Sequence, residues 1–225
     1  MAVAPLNKFI TIAVPVAPGE QTVYTAPTGV SSIVLYASVA NVGIGNTYPT
    51  VTFTHRRKST ASRTSGNTRN IRVIKDAEIP PNDSLVIIDG RLVLERSALI
   101  QDSVIIQGTQ SGIVAVSTAQ YDNNTGITTI TTSTPHGFNV NDEVTMSGLA
   151  FTCGSGYVGG STTSIFPSPQ QSFIVDSIDG PVGTSLTFTT NSGKVVGIAH
   201  TYVSGGQVAP LQMELIMSIL ENSTT

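Results

Sequence analysis

The chain has 225 residues, about one and a half domains at roughly 150 residues each, with 11% charged residues, 6% aromatic residues and no Trp. Thirty Thr and 24 Ser make nearly a quarter of it hydroxyl-bearing, a composition poor in helix formers, while 40% hydrophobic residues exclude disorder by composition. No apolar run approaches the roughly 18 residues that span a bilayer, so the expectation is a soluble globular protein with no membrane association. The single cysteine, Cys153, excludes an intrachain disulfide framework and a Cys-based zinc cage. Near the N-terminus Phe9 to Val16 is apolar, but only Lys8 precedes it as a base and Pro15 interrupts it. That pattern predicts no signal peptide and a protein made and used without secretion.

Taken in chain order, short β-branched or alternating runs recur between Gly, Pro, Asn and Asp, and helical periodicity is scarce, which predicts an all-β chain. The first strands are expected at Phe9 to Val14, Gln21 to Thr25, Ile33 to Val42 and Thr50 to His55. Further strands follow at Ile71 to Lys75, Ser84 to Ile88, Arg91 to Leu94 and Ser103 to Gln107. Pro80-Pro81-Asn82-Asp83 cannot continue a ladder, and Asp89-Gly90 is the signature of a tight hairpin turn. Eight short strands by Gly108 predict a sandwich.

Around Gly112 the texture changes, and up to Pro210 only Lys194 is basic. A second module is expected there, opening with a hairpin of Val114 to Tyr121 and Ile127 to Thr132 around Asp122-Asn123-Asn124-Thr125-Gly126. Pro135-His136-Gly137-Phe138 reads as a loop leading to a strand at Glu143 to Met146, and Gly154 to Ser164 reads as a flexible loop. Three more strands are expected at Phe173 to Ile178, Ser185 to Thr190 and Val195 to Val203. In the tail, Pro210 could start a helix, yet Met213, Leu215, Met217 and Ile219 alternate with Glu214 and Ser218, broken only by Ile216. The strand reading is favoured, because a final strand can return to the first module and pair there, beside Ser103 to Gln107. The fold class is therefore an all-β β-sandwich, residues 1–112 plus 211–225, carrying an inserted small β-barrel-like module, residues 113–210.

Charge is segregated. Arg56, Arg57, Lys58, Arg63, Arg69, Arg72 and Lys75 are seven of the eleven bases, with no acid among them, so the formal charge of −3 is +7 in one segment and −10 elsewhere. The interior, Ser59 to Asn70, reads as a long loop. Three readings stand beside each other: a solvated hairpin tip, a docking loop for an acidic protein surface, and nucleic-acid contact. The last is the weakest, since no aromatic residue interleaves the arginines as a base-stacking platform requires. The candidate partner-binding residues are Arg56, Arg57, Lys58, Arg63 and Arg69.

Catalytic patterns are weak. His136, Cys153 and His200 fall in the second module, but three ligands at scattered spacing do not make a metal site. A Cys-His nucleophile pair lacks a third member and an oxyanion site. The simpler expectation is that the histidines bond backbone carbonyls and that Cys153 is a small buried hydrophobe. Asp142-Glu143 and Asp176 with Asp179 are the acidic clusters of this module, expected to stabilise turns. Paired carboxylates could also hydrolyse glycosides, though no aromatic sugar platform accompanies them. Gly154-Ser155-Gly156-Tyr157-Val158-Gly159-Gly160 lacks the Lys-Ser/Thr ending of a phosphate loop. No catalytic residue, metal or cofactor is assigned.

Two stretches resemble known proteins. Gln21-Thr22-Val23-Tyr24-Thr25-Ala26-Pro27-Thr28-Gly29, Ile79-Pro80-Pro81 and Asp89-Gly90-Arg91-Leu92-Val93-Leu94-Glu95 resemble a small β-sandwich of tailed-bacteriophage virion proteins. That family usually ends the stretch with Gly-Asp, where Ser97 to Asp102 stand here. Tyr121-Asp122 with Thr125-Gly126, Thr134-Pro135-His136-Gly137-Phe138, Gly148 to Cys153 and His200 to Gly206 resemble a module of virion proteins of marine cyanobacterial myophages. The resemblance implies a non-enzymatic structural component of a phage virion, assembled in the host cytoplasm in multiple copies on the neck, tail or head surface. Its implied partners are other virion proteins and further copies of itself. The alternative is a tail-fibre or baseplate-associated adhesin that binds host surface glycans, and a hydrolase using the Asp142 to Asp179 carboxylates is the weakest class.

Overall fold

The computed structural model describes residues 7–59, 67–97, 99–153, 166–168, 170–193 and 199–223. By its contacts the chain divides into two compact units, Met1–Val16, Glu20–Thr109 and Gln212–Thr225 forming one, Ala17–Gly19 and Gln110–Leu211 the other. Among the described residues all regular elements are strands, as the composition and periodicity predict.

In the first unit, β1 (Asn7–Pro15), β2 (Gly19–Thr25), β3 (Val30–Asn41) and β4 (Thr50–Ser59) are followed by β5 (Thr68–Glu78), β6 (Ser84–Leu94) and β7 (Ile100–Thr109). The tail closes the unit as a strand of 11 residues, here taken in chain order as β16 (Met213–Ser223). One sheet runs in the order β1, β16, β3, β6 and the other in the order β2, β7, β4, β5. The two bury a shared core, with Val34, Val39, Leu94, Met213, Leu215 and Met217 from the first and Val51, Phe53, Val104 and Ile106 from the second. Period-2 alternation explains the tail: Met213, Leu215, Met217 and Ile219 all turn into this core.

Two expectations fail here. Asp89-Gly90 makes no hairpin, because Ser84 to Leu94 is one strand that runs along β3 throughout. Val34 pairs with Leu92 and Tyr36 with Asp89, so β6 spends one residue more than β3 at that point. Asp-Gly serves a bulge rather than a turn, and among the described residues the first unit reaches Thr109 in seven strands. The second failure concerns the tail. β16 pairs antiparallel with β1 and β3, whereas Ser103 to Gln107 belongs to β7, between β2 and β4 in the opposite sheet. An alternating apolar face says which side is buried but not which strand lies alongside.

In the second unit, β8 (Val114–Tyr121), β9 (Ile127–Thr132), β10 (Glu143–Ser147), β11 (Ala150–Cys153), β12 (Ser172–Ile178), β13 (Thr187–Asn191), β14 (His200–Ser204) and β15 (Gln207–Pro210) follow. A closed six-stranded barrel runs β10, β12, β13, β9, β8, β15, and β11 pairs with β14 beside it. Ile130, Val144, Met146, Phe151, Val175 and Phe188 fill its core. The β8–β9 hairpin closes as expected: Asp122 accepts from the Asn124 amide at 2.9 Å and the Thr125 hydroxyl at 2.8 Å. Gly126 follows at φ +83°, a conformation that glycine enters without steric penalty. The short strands β11 and β15 escape the sequence reading, and the strand expected from Val195 to Val203 is described only from His200. The Gly154 to Ser164 stretch lies outside the described residues.

The start and end of this unit meet. Gln110 Nε2 donates to the Pro210 carbonyl at 2.9 Å, and a Cβ on Gly112, which sits at φ +75°, would stand 3.1 Å from Pro210 Cδ. A boundary that makes residues 113–210 an insertion predicts that excision is tolerated, provided the join respects the sheets. β7 and β16 lie in opposite layers roughly 10 Å apart, so a two-residue Asn-Gly hairpin is too short. Replacing residues 110–211 by about four Gly/Ser residues, at roughly 3.3 Å each, is expected to give a soluble chain with a β-type circular dichroism spectrum and cooperative unfolding. An unfolded product would show that the two units share their stability.

Candidate partner-binding surface

The basic segment folds as the β4–β5 hairpin, with β5 at the sheet edge. The strands extend further into it than the composition suggests, since Thr68 to Asn70 are already β5, and residues 60–66 lie outside the described part. Nearly every residue of β5 is exposed. The strand is bulged twice against β4, and Asp76, at φ +49°, sits by one bulge. There Thr52 Oγ1 donates to Asp76 Oδ1 and accepts from the Asp76 amide, each at 3.0 Å. Bulges and cations together guard an edge against indiscriminate strand pairing.

Of the five predicted residues, the four that are described separate into two kinds. Arg57 stands directly opposite Arg69 on β5, a repulsive cross-strand pair, and directly opposite Asp102 on β7. Arg57 Nε and one terminal nitrogen donate to the two Asp102 oxygens at 2.9 and 2.7 Å, and Glu95 lies at 3.3 Å. Arg56 donates to Glu20 at 2.6 Å and to Asn70 at 2.9 Å. Both arginines thus serve the unit's own structure. Lys58 and Arg69, with Arg72 three residues further along β5, are exposed and form no ion pair among the described residues. Arg63 lies outside the described residues.

Asp102 is fully buried. Burial alone would raise its carboxyl, but hydrogen bonds from Arg57, the Glu95 amide and His55 outweigh that and hold it below the ordinary aspartate value. The same bond raises Arg57. His55 Nε2 stands 3.2 Å from Asp102 Oδ2.

In the barrel unit the candidate catalytic groups are engaged in structure. Cys153 Sγ and His200 Nδ1 are 2.7 Å apart, a pairing that spacing does not reveal because β11 and β14 are distant in sequence. Burial raises the thiol and lowers the imidazole, so both are neutral near pH 7 and the thiolate–imidazolium pair of a nucleophile does not form. His200 stacks on Phe166 with centroids 3.8 Å apart. Cys153 is buried, as expected, but it bonds to the imidazole rather than acting only as a hydrophobe.

His136 does not bond a carbonyl through Nδ1, which instead accepts from the Phe138 amide at 3.0 Å. Its Nε2 is 3.1 Å from Ser185 Oγ, and that hydroxyl donates to Asp179. Asp, Ser and His are therefore present, but serine occupies the middle. A hydroxyl that gives its proton to a carboxylate is not activated by the imidazole, whereas in a hydrolytic triad histidine bridges the other two. Burial lowers the His136 imidazole, opposed by the Thr187 backbone and Asp179. Asp142 accepts from the Asn139 amide at 2.7 Å, Glu143 from the Ser172 hydroxyl, and Asp179 from the Thr187 amide at 3.2 Å. These carboxylates stabilise turns and strand ends. Among the described residues no cluster of three or more His, Cys, Asp or Glu could hold a metal.

No known family profile matches the chain, and no curated protein does. Solved structures of infectious bursal disease virus particles do. The Gx strain structure is 10% identical over 97% of this chain with a TM-score of 0.28. The VP2 subviral particle is 8% identical over 98% with a TM-score of 0.26. The chain spans about two fifths of the length of those proteins, 42% and 41%. Scores of this size do not establish a shared fold.

Removing the buried carboxylate tests the Asp102 network. Asp102→Asn leaves Arg57 facing its like-charged neighbour Arg69, and a loss of about 2–3 kcal/mol is expected. Because the native carboxyl titrates below its unfolded value of about 3.9, its contribution is complete above that pH and is lost as pH falls through the native value. Urea unfolding of wild type and variant should differ by a constant amount near neutrality and converge in acid. A pH-independent difference would show that Asp102 acts by shape alone.

Proposed function

We propose that the protein is a non-enzymatic structural component of a virion, present in multiple copies and bound to its neighbours through strand edges. The finer assignment, to the neck, tail or head surface of a tailed phage, rests on the resemblance of its two sequence stretches to phage virion modules. The observation that carries the reading is the β5 edge. It is a strand of 11 residues, exposed along its length, with Lys58 of β4 and Arg69 and Arg72 of its own left unneutralised. An acidic surface of a neighbouring virion protein fits such an edge by charge, and Arg56 and Arg57 beside it are already paired within the unit. The hydroxyl of Ser185 and the thiol of Cys153 are tied down in ways that suit a scaffold.

Quantitative mass spectrometry of purified particles tests the virion reading, with several copies per particle as the expected outcome. The triple variant Lys58→Ser, Arg69→Ser, Arg72→Ser should fold normally and lose most of its incorporation. The wild-type contact should weaken with salt as the Debye length falls to roughly 8 Å and below. Unchanged incorporation would reduce the hairpin to a solvated tip. Retention of nucleic acid with a steep salt slope would favour the nucleic-acid reading, and specific capture by a glycan array would favour the adhesin.

A further inference from the structure

A second surface lies on the opposite sheet of the same unit. Register sets Phe9 of β1 beside Leu220 of β16, Leu220 beside Ile33 of β3, and Ile33 beside Val93 of β6, an apolar row across all four strands. A second row, Ala13, Ile216, Ser38 and Val86, runs parallel to it and is polar only at the covered Ser38, and between the two lie Thr11, Ser218, Tyr36 and Asp89. These side chains face away from the core: Phe9 is 74% exposed, Val93 48%, Ile216 47% and Val86 47%. Their sequence neighbours, Ile10, Leu92 and Leu215 among them, pack inward. A sheet with one wet face alternates apolar and polar residues, whereas apolar residues on both faces mark a sheet covered on both sides.

We propose that a second copy of this chain covers this face, sheet against sheet about a two-fold axis. The proposal deepens, and rests on, the reading of the protein as a multi-copy component. Its charges select neither an acidic nor a basic partner. Asp89 and Arg91, of opposite sign, lie together on the edge strand β6 and take part in no ion pair among the described residues. An isologous contact can bring Asp89 of each copy to Arg91 of the other, because every contact in it occurs twice. The area suffices as well. Four strands about 4.8 Å apart and about 30 Å long offer roughly 570 Å² on each copy. Two such faces give roughly 1,100 Å², at the low end for a specific complex. A contact of that size is weak in isolation and is reinforced when other contacts hold many copies together.

Sedimentation equilibrium of the full chain across micromolar to hundreds of micromolar concentrations tests it. Wild type is expected to show a reversible monomer–dimer equilibrium. The double variant Val93→Lys with Ile216→Lys should remain monomeric with an unchanged circular dichroism spectrum. Phe9→Asp, on an edge strand, provides the second variant should the lysines on β16 and β6 impair folding, and it should weaken the dimer at least about tenfold, a factor that corresponds to 1.4 kcal/mol. A wild type monomeric throughout overturns the proposal, and so does a dimer unaffected by folded variants. Incorporation into particles is scored separately. A monomer found in virions overturns the dimer face alone, and a dimer absent from virions overturns the virion reading.

Discussion

The Arg57–Asp102 pair fixes one end of the sandwich. Along the inner face of the β4–β7 ladder the facing pairs run Phe53 with Ile106, His55 with Val104, and Arg57 with Asp102. Within two steps the interior passes from fully apolar to ionic. A buried carboxylate is costly unless its lone pairs are filled, and here Arg57 and the Glu95 amide fill them, with His55 Nε2 3.2 Å from Oδ2. The main chain of Asp102 binds too, donating to Glu95 and accepting from Ala26 at 3.0 Å. One residue thereby fastens β4, the β6–β7 connection and the end of β2. It also neutralises the arginine that would otherwise repel Arg69 across the hairpin, so the exposed basic edge depends on the buried acid behind it.

The two units solve the problem of strand edges differently. The six barrel strands close on themselves, and closure removes their edges, leaving only the short β11–β14 pair beside them among the described strands. The sandwich keeps four edge strands, β1, β6, β2 and β5. Of these, β5 carries bulges and cations and β6 carries extra residues against β3, devices that leave an edge open to a chosen partner while discouraging others. Surfaces fit for assembly therefore concentrate on the sandwich, and the polar chains of the barrel, such as Asp179, Ser185 and His136, are spent on holding its turns.

Strand existence was legible in the sequence wherever alternation or β-branched density ran for five residues or more, and the tail strand followed from Met213, Leu215, Met217 and Ile219. Partner choice was not. Nothing local says that β16 lies between β1 and β3, because an inward face suits any neighbour of the same core. Asp89-Gly90 misled for a related reason: the residues that permit a tight turn also permit a bulge, and continuous pairing with β3 decides between them. Of the basic residues, composition identified the segment, but only the strand order distinguishes Arg57, on β4 facing Asp102 of β7, from Arg69 on the edge strand β5. Ile216, the residue that broke the alternation of the tail, was a sign of a second apolar face rather than noise.

Charge in the basic segment is much smaller in effect than its formal +7. Glu20 answers Arg56, Asp102 and Glu95 answer Arg57, and Asp76 lies 3.5 Å from Lys75. What remains on the described hairpin is Lys58 on β4 and Arg69 and Arg72 on the edge strand β5, the two arginines on opposite faces of the sheet. The other sheet of the unit presents two largely apolar rows with few charges. Two such surfaces respond oppositely to ionic conditions: salt screens an exposed ionic edge, while strongly hydrated anions such as sulfate favour burial of an apolar face. A particle built through both contacts would not be governed by either condition alone, and the order in which the contacts form would follow from which of them the solvent favours first.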